Sequence, residues 1–135
     1  SYNSNMILAF AALLGFISVA FGAYSEHGLK PVITEEQYRF LLTAIRYNQV
    51  NAVVIAAIGL ALVVGPEMGN KSVLKGSGIL FIVGTFLFSF SIYLSVVLDN
   101  PSLVYVTPIG GVTMMLAWLN LLVFACIRIR AKKSL

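Results

Sequence analysis

The sequence predicts an all-α integral membrane protein, a single domain of residues 1–135 that forms a four-transmembrane-helix antiparallel bundle. Composition is the first reason, because 59% of the residues are hydrophobic and 10% are charged, whereas a soluble domain is about 25% charged. The second is four apolar segments without Asp, Glu, Lys or Arg, each near the roughly 20 residues that cross a bilayer. They cover residues 6–24, 47–64, 76–98 and 103–127. The third is the short connections between the later spans, which favour antiparallel neighbours.

The first predicted span carries small side chains on one helical face. Their spacing of three and four residues places them in one stripe, formed by Ala11, Gly15, Ser18 and Gly22. Small residues let neighbouring helices approach closely within a membrane. The stripe therefore predicts the surface on which the first span packs against another helix.

Between the first and second spans the sequence predicts a short amphipathic helix. Thr34 and Gln37 have the spacing of a capping box, and two glutamates follow in the first turn, where the helix dipole favours negative charge. Apolar side chains then recur at helical spacing, with Arg39 and Arg46 on the opposite side. We expect this helix to lie at the membrane interface and to run or bend into the second span.

Turn-forming residues separate the later spans. Glycine and proline predict a loop over residues 63–72, and an Asn-Pro pair predicts a tight turn over residues 98–102. Thr107 is expected to cap the fourth span. Gly110 and Gly111 remove two side chains from its first turn. Close approach of a neighbouring backbone is the preferred interpretation of this pair, and anion binding by free N–H groups is the alternative.

Lysine and arginine counts predict the orientation in the membrane. With four spans, both termini and the middle loop share one side, which carries Lys71, Lys75, Arg128, Arg130, Lys132 and Lys133. The other side carries Lys30, Arg39 and Arg46. Because cytoplasmic flanks carry the excess of Lys and Arg, both termini are predicted to be cytoplasmic. The expected location is the cytoplasmic (inner) membrane of a bacterium.

Antiparallel connectivity would bring polar residues of all four spans to one end, which we call the polar layer. Its members are Glu26, His27, Arg46, Tyr47, Asn51, Ser89, Tyr93, Thr107, Gly110 and Gly111. Polar groups at membrane depth need partners, because lipid offers none. Arg46 is therefore expected to pair with Glu26 or with carbonyl groups at the end of the bundle. His27 is expected to hydrogen-bond the first span to the second or fourth. The opposite end shows nothing comparable inside the spans.

The residue inventory gives no support for an enzyme, and we expect no catalytic, metal-binding or cofactor-binding residue. The chain has one histidine and one cysteine, His27 and Cys126, which are too few for a metal site. Ser89 or Ser91 beside His27 would be the nearest approach to a nucleophile and base. The net charge of +4 lies in cations that flank apolar segments, which favours anionic lipid headgroups rather than nucleic acid.

Four blocks of the sequence resemble domain-of-unknown-function family 423, which includes the transmembrane protein 256-like proteins. The blocks are Gly22 to His27, Tyr47 to Asn51, "GTFLFSFSIY" from Gly84 to Tyr93, and Thr107 to Gly111, with Trp118 beyond them. The resemblance covers nearly the whole chain and implies the four-span architecture. Ser25-Glu26 stand where the family has Gly-Ala, Asn51 where it has a second histidine, and Phe90 where it has glycine. The resemblance implies no activity, since the family is uncharacterised.

These observations predict a non-enzymatic small membrane protein. Its expected role is that of a structural or accessory subunit of a larger membrane complex. The expected partners are membrane lipids and other membrane-protein subunits or a second copy of the chain, without nucleic acid. The alternative is a protein that binds or transports a small molecule, a lipid or protons, and that uses the polar layer at the non-cytoplasmic end of the bundle.

Overall fold

The computed structural model of the protein describes residues 2–65 and 69–133, and their secondary structure is helical. The α-helices are α1 (Tyr2–Tyr24), α2 (Glu35–Val64), α3 (Lys71–Thr85), α4 (Ser91–Val97) and α5 (Thr107–Lys133). Two short π-helices (Ser25–Leu29 and Phe86–Phe90) and two 3₁₀-helices (Lys30–Val32 and Pro101–Val106) join them. Part of the loop predicted over residues 63–72 falls on residues 66–68 and so lies outside the described residues.

Four helical stretches are long and apolar enough to cross a membrane. They are Tyr2–Val32, Glu35–Val64, Lys71–Val97 and Pro101–Lys133. The third stretch is continuous, because the π-helix Phe86–Phe90 connects α3 to α4 without a break. Three of the four apolar segments found in the sequence lie within these stretches, and the third, 76–98, ends one residue beyond its stretch. The amphipathic segment before the second span is likewise continuous with that span, since both belong to α2.

The small-residue stripe of α1 faces α2. Ala11 and Ser18 are buried there, and the space for a Cβ atom on each glycine at this interface is bounded by the partner helix. The neighbouring pairs are Leu8 with Gly59, Gly15 with Ala52, and Gly22 with Ile45. Residue numbers rise along α1 as they fall along α2, so the two helices run in opposite directions. The closest approach is at Gly59, where a Cβ atom would lie 3.0 Å from the Cα of Leu8.

A second close approach joins α3 to α5. A Cβ atom on Gly84 would lie 2.7 Å from the Cγ of Met114 and 3.2 Å from the carbonyl oxygen of Gly110. Further along, a Cβ atom on Gly110 would lie 2.7 Å from the carbonyl carbon of Leu87. These distances leave no room for a side chain, so the prediction that Gly110 lets a neighbouring backbone approach is confirmed.

Burial is uneven among the four apolar stretches. Within the most apolar part of the third stretch 50% of the residues are buried, whereas in the fourth the share is 11%. Phe81 of α3 is fully buried and meets Trp118 of α5 edge to face, with ring centroids 4.9 Å apart. The α3–α4 stretch therefore lies at the centre of the packed helices and α5 lies at the side.

Candidate functional site: the polar layer

The N-terminus of α2 fixes the first part of the polar layer. The hydroxyl of Thr34 accepts a hydrogen bond from the backbone N–H of Gln37 at 3.1 Å, and the backbone N–H of Thr34 donates to Oε1 of Gln37 at 3.0 Å. The predicted capping box is therefore confirmed. It satisfies two backbone donors that a helix start leaves unpaired, and it sets the position from which the next residues of α2 extend.

Glu26 does not pair with Arg46, so the first of the two partners predicted for Arg46 is wrong. The hydroxyl of Tyr38, one turn into α2, donates to the carboxylate of Glu26, and Nζ of Lys30 lies 3.4 Å from it. Arg46 is exposed on α2. Two nearer groups bind the carboxylate instead. Lys30 lies four residues after Glu26, and Tyr38 extends from the start of α2. Glu26 thus joins the exit of α1 to the start of α2, outside the packed interior.

His27 also lies outside the interior. It belongs to the π-helix Ser25–Leu29, whose buried residues are Ser25 and Leu29, and its own side chain is exposed. Among residues 2–65 and 69–133, no hydrogen bond joins its imidazole to the second or fourth span. The prediction of an interhelical hydrogen bond from His27 is therefore wrong, because this side chain lies on the exposed side of the π-helix.

Asn48 and Tyr93 form the first buried contact of the layer. Nδ2 of Asn48 donates to the hydroxyl of Tyr93 at 2.9 Å, and both side chains are buried. Phe21 of α1 stacks on the ring of Tyr93, with centroids 4.0 Å apart. Oδ1 of Asn48 is buried and has no hydrogen-bond partner among the described residues. This contact joins α2 to α4 while the stacked rings bring α1 to the same place.

Asn51 forms the second buried contact, one turn deeper. Its Nδ2 lies 2.9 Å from the hydroxyl oxygen of Thr85 and 2.9 Å from the sulfur of Met114. The hydroxyl of Thr85 in turn donates to the carbonyl of Phe81 at 2.7 Å. One carboxamide thereby contacts α3 and α5 from α2. Thr85 and Met114 were missed from the sequence, because a lone threonine and a methionine inside apolar spans carry no signal of such a contact.

Two serines, one within the π-helix Phe86–Phe90 and one directly after it, bind different neighbours. Ser89 donates to the carbonyl of Ala44 in α2 at 2.7 Å, and Ser91 lies 2.6 Å from the hydroxyl of Thr107 in α5. Thr107 was predicted to cap the fourth span, and that prediction is wrong. The preceding 3₁₀-helix leads directly into α5, so Thr107 is itself helical and its hydroxyl binds Ser91 instead.

Both π-helices lie at this end of the molecule, one after α1 and one between α3 and α4. Such insertions into α-helices are rare and occur frequently at functional sites. The polar side chains at the second π-helix bind different helices: Thr85 and Ser89 contact α2, and Ser91 contacts α5. The local sequence gave no sign of either insertion.

An open groove lies beside the buried contacts, between α2 and α5. We call it the α2–α5 groove. It has a volume of about 380 Å³ and is lined by Tyr47, Asn51, Phe88, Gly111, Met114, Met115 and Trp118. Tyr47 is partly exposed and meets Phe88 edge to face, with centroids 5.0 Å apart. Of the predicted layer, Tyr47, Asn51 and Gly111 line this groove, and Ser89, Tyr93, Thr107 and Gly110 lie in or beside the packed interior.

The opposite end of the helices holds a polar contact of its own, which corrects the expectation that nothing comparable lies there. Nδ2 of Asn120 in α5 donates to the carbonyl of Val73 and to the hydroxyl of Ser77, each at 2.8 Å. Interhelical hydrogen bonds therefore join α3 and α5 at this end also.

The chemistry open to the polar layer is hydrogen bonding between neutral groups in its interior and ionic contact at its rim. Within residues 2–65 and 69–133, no three His, Cys, Asp or Glu side chains lie close enough together to hold a metal ion. The interior contacts use amide, hydroxyl, thioether and backbone groups. The charged members, Glu26, His27 and Arg46, are exposed.

Comparison with known proteins places the chain among membrane proteins without an assigned function. A family profile described as "Protein of unknown function (DUF423)" matches residues 21–111, which span the polar layer. The chain is 32% identical over 130 residues to the UPF0382 inner membrane protein YgdD of Escherichia coli K12, covering 96% of this chain and 95% of the relative.

Two further relatives show how widely the similarity extends. A UPF0382 membrane protein of Haemophilus influenzae is 27% identical over 117 residues, covering 87% of this chain and 90% of the relative. A UPF0382 membrane protein of Schizosaccharomyces pombe is 34% identical over 119 residues, covering 84% and 95%. No solved structure matches the chain significantly.

Proposed function

Because the chain belongs to the DUF423 family and is a small integral membrane protein, we propose that it acts without catalysis as an accessory subunit of a larger membrane complex. The membrane is the bacterial cytoplasmic membrane, as the name of the Escherichia coli relative suggests. The partner binds along α5. The polar layer holds the helices in register.

The proposed arrangement is an antiparallel bundle of four spans, with the first turns of α2 in the membrane interface. The contacts between α1 and α2, which run in opposite order along the two helices, support it. The capped first turn of α2 carries Glu35 and Glu36, and these charges suit the interface. Both termini face the cytoplasm, because six flanking cations on their side exceed three on the other.

A pair of reporters tests this orientation. A fluorescent protein fused after Leu135 should be bright, and alkaline phosphatase at the same position should be inactive, because it needs the oxidising periplasm. Active phosphatase would overturn the orientation and leave the helix packing unaffected.

The exposure of α5 is the observation that carries the accessory role. Of its 27 residues, only Gly110, Met114 and Ala117 are buried, and many of the others are large apolar side chains. Ile109, Val112, Leu116, Leu119, Leu122 and Val123 are all exposed. A helix that is packed on one side can accept a further helix on its other side through van der Waals packing.

Site-specific photo-cross-linking in cells tests the role. A photoreactive amino acid at Leu119 on α5 should give one discrete adduct with another membrane protein. The matched control is Val19 on α1, since the two side chains are similarly exposed, at 57% and 66%, and Val19 should give lipid adducts alone. Lipid adducts alone at Leu119, with a monomeric mass after purification in mild detergent, would overturn the accessory role.

The α2–α5 groove favours a second candidate function. In this candidate the protein binds or transports a small molecule, a lipid or protons through the polar layer at the non-cytoplasmic end. The supporting observation is that Asn51, a polar residue held by Thr85 and Met114, lines an open groove. A monomer that retains a ligand through purification would favour it over the accessory role.

A further inference from the structure

The α2–α5 groove has a polar end and an apolar end. Tyr47 and Gly111 line it near the start of the two spans, and Trp118 lines it two turns further along α5. Seven residues of helix span about 10 Å. The hydrocarbon region of one bilayer leaflet is roughly 15 Å deep. The groove therefore follows about two thirds of that depth. Apart from Asn51, its walls are aromatic rings, methionines and a glycine.

Gly111 keeps this groove open, and packing does not require it to be glycine. A Cβ atom there would have its nearest neighbour, Cδ1 of Phe88, at 3.9 Å, which is ordinary contact. At Gly110, by contrast, a Cβ atom would overlap the backbone of Leu87. Glycine is less favourable in a helix than every residue except proline. Glycine at position 111 thus lowers the stability of the helix without allowing closer packing. What it does is leave an empty space beside Phe88.

A cation of α2 lies at the level of the polar end of the groove. Arg46 directly precedes Tyr47 and is exposed. Helical side chains tilt toward the N-terminus of their helix, so the guanidinium lies closer to the membrane surface than the Cα atom of Arg46. Because Glu26 is bound by Tyr38 and Lys30, that carboxylate does not neutralise it. A guanidinium matches the geometry of phosphate oxygens, with which it forms paired hydrogen bonds.

We propose that the α2–α5 groove binds an anionic phospholipid, with one acyl chain lying between Tyr47 and Trp118 and the phosphate bound by Arg46. The apolar walls and the opening toward the membrane fit an acyl chain. The cation at the level of the headgroups selects a negative headgroup over a zwitterionic one. This site gives a specific ligand to the second candidate function, and it does not depend on the accessory role.

The chain carries its own reporter, because Trp118 is the only tryptophan in the sequence and it lines the groove. The experiment places the full chain in bilayers of phosphatidylcholine and adds phosphatidylglycerol with brominated acyl chains, which quench tryptophan fluorescence on contact. Brominated phosphatidylcholine serves as the comparison lipid. The mole fraction of brominated lipid that gives half-maximal quenching measures the occupancy of the groove.

In the unaltered protein, brominated phosphatidylglycerol should reach half-maximal quenching at about a fivefold lower mole fraction than brominated phosphatidylcholine, as expected for one cation near the membrane surface. Arg46→Gln should abolish that preference. Gly111→Leu fills the groove and should weaken quenching by both lipids. Two matched controls should behave like the unaltered protein: Arg39→Gln removes a cation two turns away on the same helix, and Leu119→Phe adds volume outside the groove.

Equal quenching by the two lipids in the unaltered protein would overturn the proposal. So would a preference that survives both Arg46→Gln and Gly111→Leu. A second copy of the chain in the groove would protect Trp118 from both lipids and would overturn it as well. Circular dichroism of each variant identifies any that fail to fold. Should Gly111→Leu be one of them, Gly111→Val tests the same groove with a smaller side chain.

Discussion

Two kinds of contact hold these helices together, and they tolerate change differently. At Gly59 and Gly110 one helix backbone lies directly against another: an added carbon atom would be tightly placed at Gly59 and would overlap the neighbouring backbone at Gly110. In the polar layer, Asn48 and Asn51 reach across gaps of ordinary width to bind Tyr93 and Thr85. The backbone approaches depend on the lack of a side chain at glycine, whereas the polar contacts depend on the amide and hydroxyl groups of particular side chains.

The difference follows from the membrane as a solvent. Lipid chains are as apolar as leucine, so helix association draws on van der Waals contact and on hydrogen bonds. A backbone approach gathers many van der Waals contacts that an added methyl group would separate. A single interhelical hydrogen bond in a membrane contributes about 0.6 kcal/mol on average. Overlap at a glycine should therefore cost more than loss of any one polar contact.

The largest expected effect is that of Gly110→Ala. A Cβ atom there meets the backbone around Leu87, which cannot rotate away as a side chain can. We expect a loss of about 3 kcal/mol in the free energy of unfolding, the upper part of the usual range for overpacking. Denaturation by sodium dodecyl sulfate in mixed micelles measures it.

The neighbouring glycine supplies the control for that experiment. Gly111→Ala introduces the same methyl group where the nearest atom is 3.9 Å away. Because alanine favours a helix over glycine by about 1 kcal/mol, this variant should be as stable as the unaltered protein or slightly more so. Equal losses for the two variants would show that space beside the backbone is not what matters here.

Tyr93→Phe should have a smaller effect. It removes the hydroxyl that binds Nδ2 of Asn48, and Oδ1 of that amide already has no partner among the described residues. A buried amide without partners should lower the free energy of unfolding by about 1 kcal/mol. The double variant Tyr93→Phe with Asn48→Leu removes both polar groups and should recover most of the loss. If the double variant is less stable than Tyr93→Phe alone, the cost does not come from the unpaired amide.

Thr34→Ala should have the smallest effect, because it lies outside both kinds of contact. It removes the side-chain oxygen that accepts from the N–H of Gln37. Loss of an N-cap costs about 0.5 kcal/mol at the low end of the measured range, and the damage should stay in the first turn of α2. Hydrogen exchange should quicken at residues 35–38 and remain unchanged at residues 50–60. Faster exchange throughout α2 would show that the cap supports the whole helix.

The sequence predicted those features that follow from local patterns. Four apolar segments marked the helices, the spacing of Thr34 and Gln37 marked the capping box, and the small residues of α1 marked the face that packs on α2. Each depends on composition or on the period of one helix. For that reason they could be found without knowing which helices are neighbours.

The errors at His27 and Thr107 have a common origin in irregular helix geometry. A π-helix after α1 turns His27 outward, and a 3₁₀-helix before α5 makes Thr107 helical rather than capping. No residue in "SEHGL" or "PSLVYV" predicts these irregular helices from the sequence alone. Glycines at adjacent positions show the same limit, since only the structure distinguishes Gly110, which is against a backbone, from Gly111, which lines a groove.

The central claim, that the interior of the polar layer joins helices, is tested most directly by a double-mutant cycle on Asn51 and Thr85. Asn51→Ala and Thr85→Val each remove one side of the 2.9 Å contact, and the pair is also combined in one chain. If the contact is structural, the free energies of unfolding should show a coupling of about 0.6 kcal/mol between the two positions. A coupling of zero, with all three variants as stable as the unaltered protein, would contradict the claim and make a ligand site the better account of Asn51.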